Sequence, residues 1–355
     1  MERAIRVGLV TQGNQNPGSK AEHIVIAEIE NTAPFFIVGC GRSGTSLLRS
    51  QLNRHSRIAI PLESLFIIDY LGAQERYSLD NLKAYLVREP EIAEWGLQIT
   101  VGDLDGCETM AESIARVHEI YAHKYDKDVW GQKTPRFVRH LPLLANEFPE
   151  ARFIHLIRDP RAVANSLIQS NVHRSDAYHA ALRWKRDVRC GLAFARERPE
   201  RMLELRYETL VTDPIRSLEQ VLEFLDLAPD ALESSPDKAS GADEYSDFYA
   251  NIHANLDQSP TADFIDKWER TLLPREVEIV EAVCGDMMQE LGYSPRSESP
   301  SLRGSDVRNM KLRRAYRTIL QAGRYLRYRR RYLFHLIWRK WKLGRLKEFI
   351  WNANY

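Results

Sequence analysis

Residues 34–48 read PFFIVGCGRSGTSLL, and the fold class follows from how this stretch breaks. Phe35 to Val38 form an unbroken apolar run, which suits a strand buried on both faces of a parallel sheet. The run ends in a turn containing three glycines, Gly39, Gly41 and Gly44. Beyond it Leu47, Leu48 and Leu52 recur at helical spacing. The unit is therefore strand, glycine-rich loop, helix. RFIHLI at 152–157 repeats the pattern: a buried strand runs into Arg158, Asp159 as a helix cap and Pro160 at the first helical position. MLELRY at 202–207 predicts another strand, with a helix from Asp213–Pro214. Helices are expected at 61–71, 109–125, 136–147 and 174–197. Residues 4–10 and 23–30 read as short strands around the loop QGNQNPGS. Alternating strands and helices define an α/β chain with a central parallel β-sheet flanked by helices; the strand, glycine-rich loop, helix unit adds the expectation of the P-loop nucleotide-binding type. The expected organisation is an N-terminal segment 1–33, a main domain 34–295 and a basic helical tail 296–355, entered through the polar stretch SPRSESPSLRGSD.

Composition bounds the function classes. The 355 residues are 44% hydrophobic and 28% charged, ordinary values for a soluble globular protein. Cys40, Cys107, Cys190 and Cys284 are scattered and form no CxxC pair, so neither a zinc site nor a disulfide framework is expected. A signal peptide and a membrane-spanning run are not expected either, since no stretch approaches ~18 apolar residues. The net charge of +1 hides an asymmetry. Residues 296–355 hold 17 Lys+Arg and 3 Asp+Glu, which leaves 33 basic and 46 acidic residues in the rest. A cytoplasmic location is expected, with two options for the tail: the inner face of a membrane, or packing on the acidic body.

The loop Gly39-Cys-Gly-Arg-Ser-Gly-Thr-Ser46 offers successive backbone N–H groups and a helix N-terminus to an anion. Ser43, Thr45 and Ser46 add hydroxyls, Arg42 adds a charge, and Gly44 lets the backbone approach. Gly39, Gly44 and Ser46 match the frame GxxxxGK[ST], but Thr45 stands where a nucleoside triphosphatase needs lysine. A single 5′-phosphate suits such a loop better than a triphosphate.

FFIVGCGRSGTSLL resembles the 5′-phosphosulfate loop of the sulfotransferases that use 3′-phosphoadenosine 5′-phosphosulfate (PAPS). FIHLIRDPRAVANSL resembles their 3′-phosphate motif. GQKTP at 131–135 and RYETLVTDP at 206–214 match further segments, and the set spans roughly residues 34–295. The resemblance implies a transferase that moves a sulfuryl group from PAPS to a hydroxyl and releases PAP. Arg42, Ser43, Gly44, Thr45 and Ser46 would hold the 5′ end, and Arg158 and Ser166 the 3′-phosphate, through the planar charge-assisted contacts an arginine makes. Tyr207 and, with a poorer match in its surroundings, Lys267 and Ser259 fall where relatives approach the nucleotide.

Sulfuryl transfer resembles phosphoryl transfer: in line, through a loose transition state, with positioning and charge stabilisation as the main demands. Arg42 and Lys133 are the candidate cations at the leaving oxygen. HSRIAIPLES at 55–64 resembles the carbohydrate and tyrosylprotein branches, which implies Glu63 as general base. His55, His140 and His155 are read as structural. No metal is expected, because sulfate carries less charge than phosphate and no ligand cluster appears.

A glycan or glycolipid acceptor is the leading expectation, with peptide tyrosine next. The tail mixes cations with Trp, Tyr, Leu and Phe, as a helix on an anionic membrane would. Packing on the acidic body, or an oligomer contact, fits equally. No motif for nucleic acid is present. From other classes, a P-loop kinase lacks its lysine and a clear magnesium carboxylate, and a non-catalytic nucleotide binder would have no use for Glu63 and Lys133.

Overall fold

A computed structural model describes residues 33–170, 175–229, 263–312 and 330–344. The strands expected at 4–10 and 23–30, the start of the helix expected from Arg174, Ser259, and tail residues 313–329 and 345–355 lie outside the described residues.

The centre is a five-stranded parallel sheet with strand order β2-β3-β1-β4-β5. In chain order, β1 is Phe35–Gly39, β2 Ile58–Ala59, β3 Val129–Lys133, β4 Arg152–Ile157 and β5 Met202–Arg206. Along β1, Phe36 and Val38 point into one core with Trp130, Phe137 and Phe153. Phe35 and Ile37 point into the opposite core with Leu48, Leu52 and Leu205. A strand buried on both faces explains the unbroken apolar run, and each such side chain contributes roughly 1.5–3 kcal/mol on burial.

α1, Thr45–Leu52, follows the loop. On the far side of the sheet come α2, Phe66–Leu71, α3, Leu79–Leu86, α4, Pro90–Glu94, and α5, Met110–Lys124. α6 is Leu141–Glu147, α7 Pro160–Gln169 and α8 Ala177–Glu197. α9, Tyr207–Thr212, and α10, Pro214–Phe224, follow β5. α11 is Asp263–Thr271 and α12 Pro274–Glu290; α12 packs Ile279, Val280 and Met288 against Trp184 and Val188 of α8. α13, Arg330–Lys342, belongs to the basic tail.

Two expected helices differ from the structure. The helix expected from Pro61 starts only at Phe66, because side chains consume the carbonyls that would open it. Arg49 Nε donates to the carbonyls of Ile60 and Pro61, both at 2.9 Å, and Gln132 Nε2 donates to that of Leu62 at 3.2 Å. Residues 60–65 are thereby a pinned turn. The helix expected at 136–147 divides at His140 into a 3₁₀ turn, Pro135–Arg139, and α6. At β4 the expected cap is present: Asp159 Oδ1 accepts from the Arg161 amide at 2.7 Å, with Pro160 behind it.

Candidate active site

Parallel α/β sheets place ligands beyond the carboxyl ends of their strands, where the strand order reverses. Here β2 and β3 lie on one side of β1 and β4 and β5 on the other. The loop leaves the end of β1, Lys133 is the last residue of β3, and Arg158 follows β4. Tyr207 follows β5, and Glu63 lies in the pinned turn after β2. Every strand end thus supplies one of the residues singled out above.

The loop needs its glycine. Gly44 has φ +97°, and a Cβ there would stand 2.4 Å from the Tyr207 ring. Arg42 also has a positive φ, +77°. The Ser43 amide donates back to the Cys40 carbonyl at 3.1 Å. Ser43 Oγ is buried without a hydrogen-bond partner among the described residues. Thr45 is buried and Ser46 half-buried at the start of α1.

Two polar groupings flank the loop. In the first, Lys133 Nζ donates to Glu63 Oε1 at 2.5 Å and to Ser46 Oγ at 3.2 Å. The Lys133 side chain is 3% exposed and that of Glu63 32%, so the ammonium is buried and the carboxylate is the more exposed partner. Burial pushes the Lys133 ammonium below its ordinary range, against the opposing pull of Glu63. In the second, Arg42 Nε donates to Ser166 Oγ at 2.9 Å, and Arg158 Nη1 donates to the Arg42 carbonyl at 3.0 Å. The Arg158 guanidinium lies 3.9 Å from the centre of the Tyr207 ring, a cation–π contact. Burial lowers the pKa of both arginines, and their like charges reinforce the shift on Arg42. Burial raises the Tyr207 phenol.

Arg42 joins the two groupings: its Nε reaches Ser166, its carbonyl accepts from Arg158, and the charge of Glu63 acts on its guanidinium, opposing the effect of burial. Arg158 and Asp159 are not ion-paired to each other: Asp159 pairs with Arg161 at 2.6 Å. Lys267 is exposed on α11, its ammonium 5.6 Å from the Phe264 ring. It makes no contact with the other residues of the site among the described ones, although the Phe264 carbonyl accepts from Arg158 Nη2 at 2.7 Å. His55 is structural: its Nδ1 accepts from the Arg57 amide at 3.1 Å, and its Nε2 lies 3.1 Å from the Ala228 carbonyl. His155 is fully buried in β4.

Three site neighbours carry no sequence motif. Arg183 on α8 sets a terminal nitrogen 2.7 Å from where a Gly41 Cβ would be. Arg139 pairs with the buried Asp187 at 2.5 Å. Burial, reinforced by the like charges of Arg183 and Arg139, lowers the Arg136 pKa to about 10. Only the packing of the 3₁₀ turn on α8 brings these residues to the loop.

A glycine-rich loop, a lysine–glutamate pair and a second arginine–serine grouping thus gather at the carboxyl ends of one parallel sheet. Residues 34–231 match the model of the sulfotransferase family, and the chain belongs to that family. It is 27% identical over 278 residues to protein-tyrosine sulfotransferase 1 of Danio rerio, covering 75% of this chain and 74% of that one. Protein-tyrosine sulfotransferase A of Caenorhabditis elegans is 24% identical over 289 residues, covering 76% and 70%. A solved sulfotransferase domain from the curacin biosynthetic pathway superimposes with a TM-score of 0.51 at 21% identity, over 74% of this chain and 99% of that one, which shows a shared fold. The chain is accordingly an enzyme of the sulfotransferase class.

Proposed function

We propose that this enzyme moves a sulfuryl group from PAPS to the phenolic hydroxyl of a peptide tyrosine. The observation that carries the reading is the Lys133–Glu63–Ser46 grouping at the mouth of the loop, with contacts of 2.5 and 3.2 Å. It sets a carboxylate base, a buried cation and a hydroxyl at one edge of the anion cradle.

The residues fit a donor with separated 5′ and 3′ phosphates. Ser43 Oγ has no protein partner among the described residues, and Gly44 leaves the space that backbone approach needs. Arg42, Arg158 and Ser166 gather a second set of donors, and a buried pair of guanidiniums favours an anion between or beside them. Bound PAPS supplies the sulfuryl group and leaves as PAP. Ser43–Ser46 cradle the 5′ end, and Arg158 and Ser166, steadied by Arg42 and Tyr207, take the 3′-phosphate. Glu63 removes the acceptor proton, and Lys133 orients Glu63 and offers a positive donor where charge develops on the leaving oxygen. Lys267 stays at the rim. No step in this scheme calls on a metal.

Tyrosine takes precedence over the glycan or glycolipid expected first, because two relatives matched over about three quarters of this chain are named protein-tyrosine sulfotransferases. A cytoplasmic setting is part of the proposal, supported by four cysteines that form no disulfide. So is a membrane-surface role for the outer face of α13, where Phe334, Trp338 and Trp341 are exposed.

The test is transfer from PAPS to a tyrosine peptide, its phenylalanine counterpart and an oligosaccharide, read by mass spectrometry. Sulfation of the tyrosine peptide alone is the expected result; sulfation of the oligosaccharide alone would reverse the acceptor assignment. Glu63→Gln should lower kcat by about 10²–10⁴-fold while PAP affinity changes little, the loss typical of a missing general base.

A further inference from the structure

Away from the site, three carboxylates converge in the protein interior. The side chains of Asp69 on α2, and of Glu89 and Glu91 at α4, are 0%, 0% and 3% exposed. Three such charges are not stable together without a cation. The cation comes from the far end of the chain. Arg339 on α13, itself 1% exposed, donates through Nε to Asp69 at 3.0 Å and through Nη1 to Glu89 at 2.8 Å and Glu91 at 3.0 Å. Lys340 pairs with the second oxygen of Asp69, and His335 Nε2 lies 3.0 Å from Glu89. Burial raises the Glu89 pKa, but its bonds to His335 and Tyr70 and the charge of Arg339 prevail and hold it low.

This socket touches the turn that carries Glu63. Glu91 spends Oε1 on Arg339 and Oε2 on the Leu65 amide, at 2.7 Å. Leu65 is two residues beyond Glu63 and directly precedes α2, which bears Asp69. On the sheet side the Ser64 amide donates to Thr134 Oγ1 at 3.1 Å, next to Lys133. The turn is thus pinned from inside by β3 and from outside by Glu91.

We infer that α13 is a positioning element of the active site: Arg339 binds α2 and α4 to one guanidinium and so fixes the turn that presents Glu63 to Lys133. Without Arg339, Lys340 still pairs with Asp69 and His335 still faces Glu89, but among the described residues no single cation bridges Asp69 to Glu89 and Glu91. Glu91 loses its bond to Arg339, α2 and α4 separate, and the Leu65 amide loses its anchor. The proposed 3′-phosphate groups, Arg158 after β4 and Ser166 on α7, make none of these contacts to the turn among the described residues, and the loop meets it through Lys133 and the charge of Arg42. The inference rests on the proposed role of Glu63.

The experiment compares the full-length chain with Arg339→Met and, in parallel, Glu63→Gln. In Arg339→Met kcat should fall about tenfold or more, with PAP affinity within about twofold of the parent, since a base out of place costs rate and not donor binding. Hydrogen exchange over residues 62–68 should quicken. A kcat within about twofold of the parent, while Glu63→Gln is inactive, overturns the inference; so does an equal loss of kcat and PAP affinity, which marks general damage. Full activity in Glu63→Gln sinks the base assignment instead, and exchange at the Leu65 amide then decides on the clamp alone: faster exchange upholds it and unchanged exchange refutes it. If Arg339→Met does not fold, the decision passes to Arg339→Met combined with Asp69→Asn, Glu89→Gln and Glu91→Gln, which removes the charges and keeps an acceptor for the Leu65 amide. Recovery of kcat in that folded variant supports the clamp, and a folded variant without activity overturns it.

Discussion

At the scale of single residues, Gly44 shows how tightly the loop is specified. Its φ of +97° lies where a side chain is strained, and the Tyr207 ring occupies the space a methyl would take. Tyr207 in turn supports Arg158, so the two halves of the proposed donor site meet at one ring. Gly44→Ala should therefore weaken PAP binding about tenfold or more and lower stability by roughly 1–3 kcal/mol through overpacking and strain. Calorimetric titration and urea unfolding measure the two effects, and native PAP affinity in the variant would show that the loop tolerates the methyl. The glycine, serines and arginine of the loop were legible in sequence because a backbone anion cradle is a local object. Arg183 and Arg136 were not, since their place beside it depends on how α8 and the 3₁₀ turn pack.

At the scale of elements, β4 carries a titratable group on its buried side. Both ring nitrogens of His155 lack a hydrogen-bond partner among the described residues. Burial lowers the His155 pKa from 6.5 to about 4, against the opposing charge of Asp187. The unfolded chain binds the proton below about pH 6.5 and the folded chain only below about pH 4. The stability linked to His155 is complete above pH 6.5 and is lost as pH falls toward 4, by up to about 3 kcal/mol. Urea unfolding of the parent and of His155→Asn at pH 7.5 and pH 4.5 should show the difference between them shrinking at the acid value. A difference unchanged with pH would refute the assignment. The same strand shows where local reading succeeds. RFIHLI and its Asp-Pro helix start were evident from the apolar run and the cap. β2 and β3 escaped notice: β2 has two residues, and VWGQK carries the polar Gln132 and Lys133 on a buried strand. Those polar residues are tolerated because Gln132 bonds Thr134 and the Leu62 carbonyl, and Lys133 bonds Glu63.

At the scale of the whole molecule, the charge asymmetry along the chain has a structural counterpart. One face of α13 enters the acidic body through Arg339 and Leu343, and the other holds Phe334, Trp338 and Trp341 at 61%, 41% and 63% exposure. Packing on the body and an outward aromatic face are thus compatible in one helix. The full-length enzyme should co-sediment with vesicles containing phosphatidylserine and not with phosphatidylcholine alone, and Phe334→Ser with Trp341→Ser should abolish the effect without moving the thermal midpoint. Equal partition to both vesicle types, or undiminished binding by the double variant, would exclude an anionic membrane as the partner of that face. The sequence alone determined the sheet class, the glycine-rich loop between β1 and α1 and the family resemblance, because each resides in contiguous residues whose backbone and side chains act together. The tertiary structure decided the rest. The meeting of Glu63 with Lys133 spans 70 positions, and that of Arg339 with Glu91 spans 248. Such pairings are set by strand order and helix packing, which no local pattern encodes.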